Sequence, residues 1–114
     1  MLAGKTIILI ASESAFRRSL EFALEVEGFS VESHALLSEA ERSPAAATAV
    51  CSVVDESALS IGAGAIRLFE RMAGPVILLA DDVSKTAARK GMTVLTKPLR
   101  GNDLVDVVHG IAAA

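Results

Sequence analysis

Three short apolar runs constrain this 114-residue chain more than any other feature. They cover residues 6–11, 49–54 (interrupted only by Ser52) and 76–80, and each is bounded by residues that favour turns or loops. Runs of this length are typical of strands, and an unbroken apolar run indicates a strand that is covered on both faces. The three runs therefore predict a parallel sheet that is buried between two layers of helices.

The segment after the first run predicts an amphipathic helix. Leu20 and Leu24 lie one helical turn apart and face inward, and Ser12 or Ser14 can cap the start of this helix. Gly28 supplies the stop signal. A strand followed at once by a helix is half of a βαβ unit, which again favours a parallel sheet.

The rest of the chain repeats this alternation. We predict an edge strand over 29–33, short helices over 36–42 and within 81–90, a helix over 65–72, a fifth strand over 93–96 and a last helix over 102–111. Strand and helix thus alternate five times within one domain that spans residues 1–114.

Composition excludes several classes of function. The net charge of −3 and the predicted pI of about 5.3 give no electrostatic footprint for nucleic acid. No apolar run approaches the roughly 18 residues of a membrane span, so we expect a cytoplasmic protein. The single Cys51 cannot form an internal disulfide, and its apolar neighbours predict a buried thiol. We expect His34 and His109 to be surface residues that bind no metal.

The segment 95–99 reads Leu-Thr-Lys-Pro-Leu and precedes the last predicted helix, while Asp55 ends the third predicted strand. Over essentially its whole length the chain resembles the CheY-like receiver domain of bacterial two-component response regulators. The resemblance implies a flavodoxin-like (βα)5 sandwich with strand order 2-1-3-4-5. It also implies that Asp55 is at the phosphoacceptor position, that Lys97 is the lysine that reaches the aspartyl phosphate, and that a cis peptide bond precedes Pro98.

Several positions depart from the pattern of that family. Ala11, Ser12 and Glu13 stand where receivers often carry Asp-Asp-Glu, the acids that hold Mg²⁺. Ala80 replaces a Ser or Thr, and Val94 replaces the aromatic switch residue. The chain is thus similar to a degenerate receiver, or pseudo-receiver, in which Mg²⁺ binding is weak or absent.

The remaining charges predict an ion pair in place of a phosphorylation site. Asp55 and Lys97 sum to zero charge, and a single carboxylate beside an ammonium is a poor ligand set for Mg²⁺. We expect this pair to pin the third strand to the fifth. The predicted function is a phosphorylation-independent protein–protein interaction module without enzymatic activity, whose partner is a histidine kinase, a phosphotransfer domain or an output domain.

Two other functions remain open. Asp55 can be the site at which a histidine kinase phosphorylates an active receiver, and the affinity for Mg²⁺ distinguishes this case. Residues 55–59 also resemble the phosphoserine site of anti-sigma-factor antagonists, with Ser57 as the acceptor. That reading is opposed by a buried first strand that leads directly to a helix, because those antagonists open with a pair of strands.

Surface charge suggests a homodimer. Receivers often pair through the face built by the fourth helix, the fifth strand and the fifth helix. Here the basic and acidic residues of that face are Lys85, Arg89, Lys90, Asp103 and Asp106. A two-fold axis would pair them twice. We expect Arg17 and Arg18 to lie on a solvated face of the first helix, and Asp81 and Asp82 to cap the short fourth helix.

Overall fold

The computed structural model describes residues 5–58, 74–81, 92–99 and 102–113. Its five strands form one parallel sheet with the order β2-β1-β3-β4-β5. The strands are β1 (Thr6–Ile10), β2 (Ser30–His34), β3 (Cys51–Asp55), β4 (Val76–Ala80) and β5 (Met92–Thr96). This architecture is the flavodoxin-like fold predicted from the sequence, and the predicted strand order is confirmed.

The described helices are α1 (Ser14–Val26), α2 (Leu37–Glu41) and α3 (Asp103–Ala113), with 3₁₀ turns at Pro44–Ala47 and Glu56–Ala58. Their bounds differ from the predicted ones by one or two residues. The predicted helix over 65–72 lies outside the described residues, as does nearly all of the helix predicted within 81–90. None of the helices in the described ranges has the length and apolar character needed to cross a bilayer.

The central strands are covered on both faces, which explains their largely apolar sequence. Ile7 and Leu9 of β1 pack in a cluster with residues of α1 and α3, including Leu24. Ile8 and Ile10 point to the opposite face, in a second cluster that includes Ala40 of α2. Every residue of β3 and β4 is buried, whereas the edge strands β2 and β5 are half-exposed. Two helical layers therefore sandwich the sheet.

The start of α1 differs from the prediction. Neither Ser12 nor Ser14 caps the helix; Glu13 does, because its Oε1 accepts a hydrogen bond from the Phe16 N–H at 3.3 Å. The Ser12 hydroxyl instead donates a hydrogen bond to the hydroxyl of Ser57, 45 positions away. Ser14 is already the first residue of the helix. The helix stops where predicted, at Gly28, whose φ of 99° is in the left-handed region that glycine favours.

Candidate functional site

The carboxyl ends of the parallel strands place the candidate site. Ala11 follows β1, Asp55 ends β3, Asp81 follows β4 and Lys97 follows β5. In an open parallel sheet a crevice forms at this edge, where the strand order changes direction between β1 and β3. The backbone fixes Lys97 here, since its N–H donates to the Ala80 carbonyl at 2.8 Å. The peptide bond between Lys97 and Pro98 is cis, as the resemblance implies.

The Asp55 carboxylate is buried and held on both oxygens by groups of the chain itself. Only 3% of the residue is exposed. Its Oδ1 lies 2.6 Å from the Lys97 ammonium. Its Oδ2 accepts hydrogen bonds from the Ser57 N–H, at 3.2 Å, and from the Ser57 hydroxyl. A buried carboxylate needs such partners, because an unpaired charge in the interior is costly.

Lys97 is shared between two carboxylates and an aromatic ring. Besides Asp55, its Nζ contacts Asp81 Oδ1 at 3.4 Å and lies 5.2 Å from the centre of the Phe16 ring. Burial lowers the pKa of Lys97, but the contacts with Asp55 and Asp81 outweigh burial, so that its pKa is raised. The lysine therefore stays charged and sits as a fixed cation at the site.

Two serine hydroxyls extend this network to the end of β1. Ser12 Oγ donates to Ser57 Oγ at 2.8 Å, and Ser57 Oγ donates in turn to Asp55. The sequence points to Ser57 only as a possible phosphoacceptor, and its contact with Asp55 is not among the predictions. The Asp-x-Ser spacing was the available signal, because an Asp side chain commonly bonds to the backbone two residues further along.

The two other positions of the degenerate acidic triplet provide no carboxylate for this site. Ala11 is fully buried, and its carbonyl accepts a hydrogen bond from Arg17 Nη1 at 2.7 Å. Glu13 is the cap of α1. The prediction that Arg17 is merely solvated was wrong, because its guanidinium is partly buried and donates a hydrogen bond to a backbone carbonyl at the end of β1. Arg18 is exposed, as expected.

The side chains present do not fit a Mg²⁺ ion. Mg²⁺ requires octahedral oxygen ligands, usually with one or two carboxylates among them. Both oxygens of Asp55 are engaged, and Arg17 and Lys97 add positive charge at the same strand ends. Within the part of the chain that the structure describes, no three His, Cys, Asp or Glu side chains are grouped to hold a metal.

The two switch positions lie where the resemblance placed them, on β4 and β5. Ala80 is the buried last residue of β4, and Val94 is partly buried against the cluster on the α2 face. Neither side chain can donate a hydrogen bond or swing an aromatic ring. Asp81 is exposed like a loop residue, but it contacts Lys97, and its N–H donates to Glu56 Oε1 at 2.9 Å. Asp82 lies outside the described residues.

Other residues singled out from the sequence lie apart from this network. His34 and His109 are not simple surface residues, since each is partly buried against a glutamate. The Nε2 atom of His34 lies 2.8 Å from a carboxylate oxygen of Glu32, and that of His109 lies 2.8 Å from one of Glu27. Cys51 is fully buried, as predicted, and burial raises the pKa of its thiol to about 11.

The predicted dimer face is only partly described. Asp103 and Asp106 are exposed in the first turn of α3. Lys85, Arg89 and Lys90 lie outside the described residues.

Sequence comparison relates this domain to a curated protein of similar length. The chain is 38% identical over 115 residues to the transcriptional regulator protein FixT of Rhizobium meliloti (strain 1021), covering all of this chain and 98% of that protein. The chain belongs to the FixT family. No family model matches the sequence of this chain.

Solved structures show which fold this FixT-family chain adopts. Full-length FixJ from B. japonicum superposes with a TM-score of 0.77 at 18% identity, over 97% of this chain and 59% of that one. A response regulator receiver domain protein from Clostridium thermocellum gives a TM-score of 0.75 at 22% identity, over 96% and 94%. The receiver domain of the hybrid histidine kinase CckA gives 0.68 at 22%, over 93% and 97%. The fold is therefore that of response-regulator receiver domains.

Proposed function

We propose that this FixT-family domain is a degenerate receiver that acts in two-component signalling as a phosphorylation-independent protein–protein interaction module, not as an enzyme. One observation carries the proposal: both oxygens of Asp55 are engaged by Lys97 and Ser57. The residue at the phosphoacceptor position is thus part of the domain's own structure.

Phosphorylation of Asp55 would have to overcome this arrangement. An opposite-charge contact is worth about 4 kcal/mol at 4 Å and an effective dielectric constant near 20, before desolvation is subtracted. An incoming phosphoryl group would compete with Ser57 and Lys97 for the carboxylate oxygens. Among the described residues no metal-ligand cluster is present that would bring a cation to compensate for its negative charge. The energy that favours the unmodified site opposes its modification.

A response to phosphorylation also lacks its usual parts. In receivers a hydroxyl at the end of the fourth strand and an aromatic residue on the fifth strand connect the phosphoryl group to the surface. Ala80 and Val94 supply neither. The conformation of the domain is therefore set by its packing and by whatever binds it.

The partner that we propose is a protein: a histidine kinase, a phosphotransfer domain or an output domain. The name of the relative FixT points to the control of transcription. Direct contact with DNA is disfavoured by the net charge of −3, so the domain would act on transcription through another protein. A cytoplasmic location is part of the proposal and agrees with the single free Cys51 thiol. A homodimer through the face that includes Asp106 stays a prediction.

The decisive experiment is an amide NMR titration with Mg²⁺ and then with beryllofluoride, which mimics an aspartyl phosphate. We expect no saturable shifts at Asp55, Ala80 and Lys97 up to high millimolar metal. Asp55→Asn is the matched control, because a shift that persists in this variant does not report on the Asp55 carboxylate. Saturable shifts at these residues that disappear in Asp55→Asn would contradict the proposal and favour an active receiver, modified on Asp55 by a histidine kinase.

The alternative that uses Ser57 finds no support in the fold. That alternative requires an opening pair of strands, whereas β1 here is followed by α1 and pairs in parallel with β2. Mass spectrometry after incubation with a phosphodonor distinguishes the acceptors, because a serine phosphate survives mild hydroxylamine and an aspartyl phosphate does not.

A further inference from the structure

Helix α1 displays an apolar surface that the domain itself does not cover. Phe22 is 68% exposed and Val26 is 64% exposed, and they lie one helical turn apart. Only one other large apolar side chain in the described residues, Leu36 at 55%, is comparably exposed. Ala15 and Ser19 are also exposed and continue the same line toward the start of the helix. We name these four residues, Ala15, Ser19, Phe22 and Val26, the α1 stripe.

The spacing of the stripe is that of a helix that packs against another helix. Its members are separated by four, three and four positions, which is the a/d pattern of a coiled-coil seam. The stripe is not needed for the core, because the inward face of α1 is formed by Leu20 and Leu24. Helix α1 therefore packs one apolar face against the sheet and carries a second, narrow apolar line on its solvent-facing side.

Charged residues flank the stripe on one side. Arg18 and Glu25 are both exposed and lie seven positions apart, close to two helical turns, so they occupy the same flank. Neither forms an ion pair or a hydrogen bond through its side chain with any described residue. They are separated by about 10 Å along the helix and cannot pair with each other. Phe22 lies near the midpoint between them.

We propose that the α1 stripe is an isologous interface between two copies of this chain, with the two α1 helices antiparallel and Phe22 near the two-fold axis. In an antiparallel pair each flank faces the same flank of the other helix. Arg18 then meets the partner's Glu25, and Glu25 meets the partner's Arg18. Val26 fits beside the partner's Ala15 and Ser19, which leave room for it. A parallel two-fold arrangement would instead set this flank against the opposite flank of the partner helix, so that Arg18 and Glu25 would not meet.

The size of the stripe determines how strong this association is. Helix α1 has 13 residues and is about 20 Å long, so one face of it covers less than the roughly 800 Å² per partner that stable complexes bury. We therefore expect a weak dimer that forms at high protein concentration. This inference concerns a surface away from Asp55 and stands independently of the proposed function.

Sedimentation equilibrium at concentrations up to about 1 mM is the first test, since a dissociation constant in that range leaves a measurable dimer fraction. The wild-type chain is expected to show a monomer–dimer equilibrium, and Phe22→Ser should remove the dimer. Leu36→Ser is the matched control, because Leu36 is an exposed apolar residue outside the stripe. Circular dichroism checks that each variant is folded. A wild-type chain that is monomeric at 1 mM would overturn the proposal.

Charge exchange tests the antiparallel geometry. Arg18→Glu alone and Glu25→Arg alone each place like charges together twice, and each should weaken dimerisation by about tenfold. An equimolar mixture of these two single variants should associate as the wild type does, because every contact in the mixed dimer is again attractive. The variant that carries both changes should dimerise with itself for the same reason. Failure of both rescues would overturn the proposed geometry.

A last variant distinguishes this interface from the dimer face predicted from the sequence. Asp106→Lys reverses an exposed charge on α3 and should leave the equilibrium constant unchanged. If Asp106→Lys changes the equilibrium and Phe22→Ser does not, the copies meet through α3 and the proposal fails. A stripe that binds only a different protein would likewise show itself as a wild type that remains monomeric.

Discussion

Lys97 Nζ lies 2.6 Å from Asp55 Oδ1, and this contact joins the end of β3 to the residue that follows β5. Strand β4 lies between them in the sheet, so the ion pair bridges over the carboxyl end of a buried strand. Because Asp55 is buried and Lys97 is 25% exposed, the pair is partly shielded from water. Removing one partner would therefore leave a charge unpaired in a partly buried place, which costs more than breaking an exposed pair.

A double-mutant cycle should detect this bridge. Lys97→Ala leaves a buried carboxylate without its cation and should lower the free energy of unfolding by roughly 2–3 kcal/mol. Asp55→Ala with Lys97→Ala should cost less than the sum of the single changes, with a coupling of about 1–2 kcal/mol. Urea denaturation followed by circular dichroism measures all four corners. Asp81→Ala is the control: it removes an exposed carboxylate 3.4 Å from Lys97 and should cost about 0.5 kcal/mol or less. Additive single effects would rule out the bridge.

The adjacent arginines of α1 provide a matched pair of variants. Arg17 donates to the Ala11 carbonyl at 2.7 Å, whereas Arg18 is exposed and has no such partner among the described residues. Arg17→Ala should therefore lower the free energy of unfolding by about 1–2 kcal/mol, since it removes a charge-assisted hydrogen bond at a buried strand end. Arg18→Ala should change it by about 0.5 kcal/mol or less. Thermal and urea unfolding of the monomer at low micromolar concentration compare the two, and equal effects would contradict the role of Arg17.

The sequence was sufficient for the sheet but not for the connections at its edge. Apolar runs identify β1 and β4, and a run interrupted only by Ser52 identifies β3, because both faces of these strands are buried. The strand order came from the resemblance to receivers. Asp55 and Lys97 were predictable as neighbours, since the ends of parallel strands meet at one edge of a sheet.

What the sequence did not reveal depends on contacts between distant residues. Ser12 is intrinsically a good helix cap, but it bonds to Ser57, and the cap falls to Glu13. Arg17 lies at the border between the inward and outward faces of α1, so helical periodicity alone does not show that it reaches back to Ala11. Neither contact can be predicted from a local sequence pattern, because each depends on the positions of the strand ends in the folded domain.

Alkaline pH should destabilise the fold through two groups. Burial raises the pKa of Cys51 from 9.0 to about 11, so between these values the unfolded chain loses a proton that the folded chain retains. The unfolded state is then favoured increasingly as pH rises, by up to about 1.4 kcal/mol per pH unit. The raised pKa of Lys97 acts in the same direction: its contribution is full below 10.5 and is lost as pH rises through the folded-state value.

Urea denaturation between pH 8 and pH 11 measures this loss. Cys51→Ala should lower stability at pH 8 because it leaves a small gap in the core, but it should flatten the decline that begins near pH 9. Lys97→Met retains the Cys51 thiol, so its free energy of unfolding should still decline from pH 9. Only the further decline above pH 10.5 should be smaller than in the wild type. An unchanged slope between pH 9 and pH 10 in Cys51→Ala would show that the thiol is not the group that titrates.

Restoring the missing acids should change how the domain responds to Mg²⁺. Ala11→Asp with Ser12→Asp would place two further carboxylates at the end of β1, beside Asp55. Without metal this variant should be less stable than the wild type, because two further carboxylates then lie near Asp55 and Asp81, and Ala11 is fully buried. Added Mg²⁺ should recover stability by about 2.7 kcal/mol at a hundred times the dissociation constant, since it binds only the folded state. Thermal unfolding with and without 10 mM MgCl₂ measures this, with Ca²⁺ as a second cation and Ala11→Asn/Ser12→Asn as the uncharged control. The wild type should show no such shift, and a wild-type shift as large as that of the acidic variant would mean that the native side chains already bind the ion.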